Sequence, residues 1–413
     1  MTTIDAIHAA TKETAEAAQL SCRVVTSFEE IAAMREEWDE FVEAIGGDIY
    51  MTFDWCRVWW QHYGTNRELQ IFLFREGQRL VAVLPVFLER MWLGPVWLRV
   101  AKLVGADFAL TLCNPPVHAD HAKAVFSSLL ETLIGQFKCD VVSFGPLSGE
   151  YQPITALRQV CCGRPDLFHG RESLIGSHTV FAVPETIDAY LSALSKKSRG
   201  QLKRAMRRLE SDHHTCLSTI RDPAEAEREF ERFQRLHAAQ WQAQGKLGHF
   251  GDWPKSAEFN LDLIRALGAG GRLLILRLTA DGDPIAYQYG FVFAGRYYWR
   301  LPARAVGSHW DEYGLGNMGI CHEMSFAIDA RLRVIEAGIG HYDYKLQWGG
   351  QEHPLRSVLV IANRLGARLR ASLFLRCADL LHLMYYRLWF LRLAAKLPFR
   401  RRPLWTTWIK SRL

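Results

Sequence analysis

The stretch LLILRLTADGDPIAYQYGFVFAGRYYWRL, residues 273–301, decides the fold. LLILRL from Leu273 and PIAYQYGFVF from Pro284 are apolar runs of strand length, rich in aromatic and branched side chains. Between them Asp281-Gly282-Asp283 supplies the Asp-Gly pair that a tight hairpin turn favours. RYYWRL from Arg296 adds a third strand. A helix is predicted from about Leu315 to Ala330, and VIEAGIG from Val334 reads as a short buried strand. Antiparallel strands followed by a helical crossover predict a mixed α/β (α+β) fold, its partly antiparallel sheet flanked by helices.

The same order occurs upstream. A strand near Arg23 to Thr26 and a helix from Phe28 to Ala44 precede a helix carrying Trp55, Trp59 and Trp60. LQIFLF from Leu69 and LVAVLPVFL from Leu80 flank the hairpin link Glu76-Gly77-Gln78. A helix from Asp120 to Phe137 and the buried strand DVVSFG from Asp140 follow. Strand, hairpin, helix, strand occurring twice predicts a degenerate internal duplication. The expected division is a flexible lead over 1–20, lobes over 21–180 and 181–363, and a helical tail over 364–413. No strand-GxGxxG-helix unit opens the chain, which excludes a dinucleotide fold of the doubly wound kind.

Net charge is +6 over 413 residues, but it is unevenly placed. From Arg356 onward there are thirteen Lys or Arg and a single acid, Asp379, so the body is acidic and the tail basic. In that tail Leu373, Cys377, Leu380, Met384, Leu388 and Leu391 recur at helical spacing, with Arg376, Arg387, Arg392 and Lys396 off the stripe. Arg400, Arg401, Arg402, Trp405 and Trp408 follow. This pattern suits either an anionic membrane surface or a helix packed on the body or on a second copy. Nine cysteines without metal-type spacing, no signal sequence and no long apolar run place the protein in the cytoplasm, peripheral at the inner membrane face if the tail binds lipid.

Four further segments bear on chemistry. Asp311-Glu312-Tyr313-Gly314-Leu315-Gly316-Asn317 leads from a strand into a helix, and two glycines beside a helix start form an anion cradle or a plain turn. SKKSRGQLKRAMRRLE from Ser195 is a helix with seven cations against Glu210; Lys196, Arg199 and Lys203 would face a phosphate-bearing ligand. In the helix opened by Asp222-Pro223, Phe233, His237 and Trp241 share a face. There His237 is either a core histidine or a general base. Finally Glu336, Gly338, Gly340, His341, Tyr342, Asp343, Tyr344, Lys345 and Trp348 crowd acid, base, phenol, ammonium and indole after a buried strand. Neither a Walker loop, a G-x-S-x-G elbow nor an H-E-x-x-H motif is present, and no metal is expected.

Taken together, the SKKSRGQLKR helix, the His237/Trp241 helix, the Gly314/Gly316 loop and EAGIGHYDYKLQWG resemble the CelD-like group of GNAT acetyltransferases, associated with cellulose and exopolysaccharide biosynthesis and related to the tandem-lobed FemAB transferases. The resemblance runs from about Val24 to Ile361. It implies two GNAT-like lobes and acyl transfer from acetyl-CoA or another acyl-CoA to an amine or hydroxyl of a small-molecule or glycan acceptor. Residues 313–317 would hold the pyrophosphate, although Asp311 stands where the family's loop has Gln or Arg. The strand from Arg296 would offer an oxyanion donor. His237, Glu336 or Asp343 would take the proton, Tyr344 or Tyr342 would serve the thiolate, and Lys345 would balance charge; Trp241 and Trp348 would line the acceptor site. FemAB enzymes use aminoacyl-tRNA, the one nucleic acid this reading admits. A non-catalytic scaffold binding a nucleotide-sugar or glycan is the rival.

Overall fold

The computed structural model describes residues 20–109, 111–245 and 248–393. In the first half, β1 (Leu20–Val25) is followed by helices α1 (Arg35–Ala44) and α2 (Phe53–Tyr63), then by β2 (Glu68–Glu76), β3 (Arg79–Leu93) and β4 (Val96–Leu103). Helix α3 (Ala122–Leu130), β5 (Val141–Ser148), α4 (Ile154–Gly163) and β6 (Phe168–Ala182) complete it. The second half runs through α5 (Ile187–Ala193), α6 (Lys196–Asp212), β7 (Thr215–Ile220), α7 (Pro223–Gln242), α8 (His249–Asp252) and α9 (Ser256–Ala269). It continues through β8 (Leu273–Ala280), β9 (Asp283–Phe293), β10 (Arg296–Arg304), α10 (Ser308–Asp311), α11 (Leu315–Asp329) and β11 (Val334–Ile339), and ends with α12 (Asp343–Gln347) and β12 (Gln351–Ala362). Helix α13 (Leu365–Leu381) then passes into a wider helical segment, His382–Leu393.

Among the described residues the twelve strands form one sheet, ordered β1-β2-β3-β4-β5-β12-β6-β11-β10-β9-β8-β7. The order mirrors itself about the β12/β6 contact, so the duplication expected from sequence is real in the topology. Each half gives its last strand to the other: β12 lies between β5 and β6, and β6 pairs with β11. The expected division at 180/181 falls inside β6, and the two halves share a continuous sheet. Of the expected lead only Leu20 is described, as the first residue of β1; the tail residues Lys396, Arg400, Arg401, Arg402, Trp405 and Trp408 lie outside the described residues.

Local chemistry sets the turns and starts. Asp281 and Gly282 both have positive φ, 53° and 91°, as the hairpin turn between β8 and β9 requires. Asp222 caps α7 by accepting from the Glu225 N–H at 2.8 Å, with Pro223 in the first turn. Ser195 caps α6 in the same way. On β3, Val83 and Phe87 face one layer while Leu84, Val86 and Leu88 face the other, which is why its sequence is an unbroken apolar run. One layer joins the halves: Trp38, Trp55 and Trp59 pack with Phe230, Phe233 and Phe259. Across that layer Asp39 pairs with Arg272 at 2.6 Å.

Candidate active site

The sheet contains two parallel contacts at mirror-related places. β4 and β5 pair over three residues, Val100 to Lys102, and β10 and β11 over three, Arg296 to Tyr298; beyond these each pair splays into a wedge. The first wedge is bridged by the chain's own backbone. The Cys113 N–H donates to Pro146 O at 2.8 Å, Val117 bridges Ala82, and the His118 N–H donates to Val81 O. Among the described residues no backbone hydrogen bond links β10 to β11 past Tyr298 and Glu336.

Three features surround the second wedge. First, the β9/β10 register slips between Trp299 and Leu301, so Arg300 is an extra residue without a ladder partner. Second, α11 begins at Gly314 in a left-handed conformation (φ 60°) with no side chain capping it. The Asn317 N–H donates back to Gly314 O at 2.9 Å, and the Leu315 and Gly316 N–H groups are left for a ligand. Gly316 lies under the Arg304 side chain, 3.7 Å from where a Cβ would stand, and Arg304 pairs with Asp311 at 3.1 Å. Of the expected cradle, Gly314, Gly316 and Asn317 reach the surface. Tyr313 and Leu315 are buried; the Tyr313 hydroxyl donates to Asp212. Third, Gln288 Oε1 and Trp299 Nε1 on the wedge's α11 side are buried without a hydrogen-bond partner, and beside them the Tyr297 hydroxyl bonds the Glu323 carboxyl. Each unpartnered atom costs about 1–3 kcal/mol unless something else pairs it. A polar co-substrate entering the wedge would do so, and one acceptor (Gln288 Oε1) with one donor (Trp299 Nε1) fits an amide-bearing arm such as that of coenzyme A.

Lys345 stands at the wedge. Only 5% exposed, its Nζ donates to Ala337 O at 2.6 Å and lies 4.5 Å from the Tyr342 ring centroid. Burial pulls its ammonium down to about 8, against the opposing pull of Glu336, Glu323 and Glu352. Burial also pushes the Glu323 carboxyl well up and the Tyr344 phenol up. Asp343 is almost wholly exposed and pairs with His341 at 3.2 Å. Trp348 is packed in the core, where Tyr190 OH donates to its carbonyl. Lys196 and Lys203 are exposed on α6, and Arg199 donates to the carbonyls of Leu191 and Ser192.

On the other face, Glu336 meets residues no local pattern singles out. His178 Nδ1 donates to Glu336 Oε1 at 3.0 Å, and the Ser148 hydroxyl reaches His178 Nε2 at 3.0 Å; all three are buried. Asn114 donates to Asp48, which also faces Arg296 and Tyr298. Arg300 donates from Nε to Asn260 and lies over Trp55, with Nη2 buried and unpartnered and no carboxylate paired to it among the described residues. Of the two readings of His237, the geometry is that of a core histidine and not of a free base. The residue is 1% exposed, Nδ1 donates to Pro302 O at 2.8 Å, and Nε2 accepts from the His249 N–H at 3.3 Å. Both nitrogens are engaged and burial lowers its pKa, so it ties α7 to β10 and to the 249 turn; Trp241 packs against its ring. Among the described residues no group of three or more His, Cys, Asp or Glu is arranged to hold a metal.

Residues 196–346 match the acetyltransferase (GNAT) domain family, a span that includes α6, the glycine loop, the wedge and Lys345. A crystal structure of FemX aligns over 78% of this chain and 95% of its own, with TM-score 0.58 at 9% identity. A conserved protein of unknown function from Bacteroides thetaiotaomicron VPI-5482 aligns over 83% and 100%, with TM-score 0.50 at 11% identity. A tandem GNAT protein from the clavulanic acid biosynthesis pathway aligns over 83% and 98%, with TM-score 0.43 at 12% identity. Compared with curated proteins, the sequence matches none. Residues 196–346 are therefore similar to the GNAT acetyltransferase domain family, and over 78% of its length the chain shares the fold of FemX.

Proposed function

We propose that the protein is an acyltransferase that moves an acyl group, acetyl in the simplest case, from coenzyme A to an amine or hydroxyl of an anionic acceptor. The observation that carries this reading is the open β10/β11 wedge, lined by unpaired polar atoms and headed by an uncapped glycine turn. Coenzyme A supplies the activated thioester; the chain supplies the rest. The Gly314 and Gly316 N–H groups would hold the pyrophosphate, with Asn317 donating back to Gly314 O and Tyr313 and Leu315 anchoring the turn from the core. Gln288 and Trp299 would pair amides of the pantetheine arm, with Tyr297 beside them. The strand residue Arg300, free of the ladder, offers its backbone N–H to the oxyanion, a donor of about 3 kcal/mol in such sites.

Glu336 takes the acceptor's proton, held in place by His178. Lys345 gives a proton to the departing thiolate: an ammonium near 8 matches a thiol of about 8.5 better than the raised Tyr344 phenol does. The unneutralised Arg300 guanidinium receives a carboxylate or phosphate of the acceptor. Asp343, Tyr344 and the exposed cations Lys196 and Lys203 form its outer rim, with Arg199 bracing α6 behind them. His237, Trp241 and Trp348 are positioning residues. The CelD-like resemblance directs the acceptor search to polysaccharide and cell-envelope precursors.

A second reading has one observation behind it. Asp311, paired with Arg304, puts an acid beside the glycine loop, and a FemAB-like enzyme with an aminoacyl-tRNA donor has no need of a pyrophosphate cradle there. Thermal denaturation with acetyl-CoA, longer acyl-CoAs and charged tRNA separates the two. A ligand at a hundred times its dissociation constant stabilises the fold by about 2.7 kcal/mol. Stabilisation by an acyl-CoA that disappears in Gly316→Val supports the acyl-CoA reading. Stabilisation by charged tRNA alone would replace it.

A further inference from the structure

The sequence stripe in the C-terminal helix does not pack where its apolarity suggests. Helix α13 is held to the sheet by Ala367, Ala371 and Phe374, which sit in one cluster or another with Met91, Leu98, Val360 and Leu359. Its opposite side puts Leu365, Leu369, Leu373 and Leu380 into solvent, and the segment after it adds Met384, each more than half exposed. Beside the helix is a pocket of about 260 Å³ lined by five cations, Arg90, Arg99, Lys138, Arg364 and Arg370, against one carboxylate, Asp140. Asp140 is committed to Arg370 at 2.5 Å and lies 3.6 Å from Arg364. Arg90 and Lys138 have no ion pair among the described residues, and the Arg370 Nε is buried without a hydrogen-bond partner. Trp97 forms the pocket's aromatic wall, under Arg90 and Arg370, and its neighbour Trp92 is 59% exposed on the β3–β4 hairpin.

We propose that this face docks on a membrane containing anionic phospholipid, with a lipid phosphate in the cationic pocket and the leucine stripe and Trp92 in the interfacial layer. The cations and the apolar stripe are both required by this occupant and by no other single one. Nucleic acid would use the cations but leave the leucines in water, and an apolar partner helix would use the leucines but strand the excess positive charge. A membrane surface takes both, since its headgroups are anionic and its interface admits leucine, methionine and tryptophan. The proposal is independent of the acyl-transfer reading.

Flotation of the full chain with vesicles tests it. Vesicles of phosphatidylcholine alone are compared with vesicles one-quarter phosphatidylglycerol, at low and high salt. The expected result is binding to the anionic vesicles that weakens with salt, and at least tenfold less to the neutral ones. Leu369→Glu with Leu373→Glu should abolish it, and Arg90→Gln with Lys138→Gln should weaken it about thirtyfold, two surface cations being lost. All four side chains are exposed, so the thermal midpoint should stay that of the parent, which separates lost docking from lost fold. Equal binding to neutral vesicles, binding that survives both double substitutions, or no binding to either vesicle overturns the proposal. So does self-association that the Leu369/Leu373 substitutions abolish without any vesicle binding, or displacement from vesicles by an RNA duplex.

Discussion

The two wedges of the sheet are built alike and finished differently. Beside the first, Arg67 donates to Glu89 and Asp107 and lies 4.3 Å from the Phe87 ring centroid, and Lys102 stands 4.0 Å from Glu89, all four charged groups being buried. The segment around 113–118 then closes the gap with main-chain hydrogen bonds. The second wedge has a slipped strand, an uncapped helix start and polar atoms without partners. One copy of a duplicated unit has turned its opening into core, and the other has kept it. The contrast lies in pairing more than in residue type: polar groups are buried in both, but one set is largely satisfied from within.

The largest expected effect breaks the second wedge's chemistry. Glu336→Gln should lower transfer about 10²–10⁴-fold, read as coenzyme A release, while His178→Gln should act through Glu336 and shift the pH profile as well. If Glu336→Gln keeps full turnover, the proton goes elsewhere. Next comes the first wedge. Arg67→Met strands two buried carboxylates and should cost about 3–5 kcal/mol in denaturant unfolding. Acyl-CoA stabilisation should persist wherever that variant is folded; its loss there would tie the first wedge to the donor site.

Lys345 gives a smaller effect with a defined sign. Its folded-state value is about 8 against an ordinary 10.5, so between these values the unfolded chain holds more protons. Stability should therefore rise with pH across that window, and below it the buried ammonium is a steady cost. Lys345→Met should stabilise the fold by roughly 1–3 kcal/mol at neutral pH and flatten the rise, while transfer falls. A stability profile unchanged by the substitution would place the charge in water. The smallest effect sharpens the contrast: Tyr297→Phe removes the hydroxyl that bonds Glu323 and should cost about 1 kcal/mol, and weaken acyl-CoA stabilisation further. An equal loss with and without ligand would make that hydroxyl structural.

How much of this was legible in the sequence follows contact distance along the chain. β8, β9, β10, α11 and β11 were readable because their signals are local: apolar runs, an Asp-Gly turn, a Gly-x-Gly start. β6 and β12 were not, because β6 is half-exposed without clean alternation and is fixed by partners far away. Glu336 and Lys345 were found in a crowded segment. Their neighbours were missed: His178 is 158 residues from Glu336, and Ser148 has no motif around it. His237 was visible through its aromatic face, but only the fold shows both its nitrogens engaged. The tail stripe was read correctly as helical. Which side it turns to solvent was hidden, because small residues, Ala367 and Ala371, make the close contact with the body.

The exchange of last strands sets an order on synthesis. A ribosome delivers β5 long before β12, so the emerging first half has a hydrogen-bonding edge at the sheet's centre that only the far end of the chain can cover. An unpaired strand edge is a template for wrong partners. The nascent first half therefore waits in an unfinished state, and the chain becomes whole in a single late step, when both halves receive their sixth strand from each other.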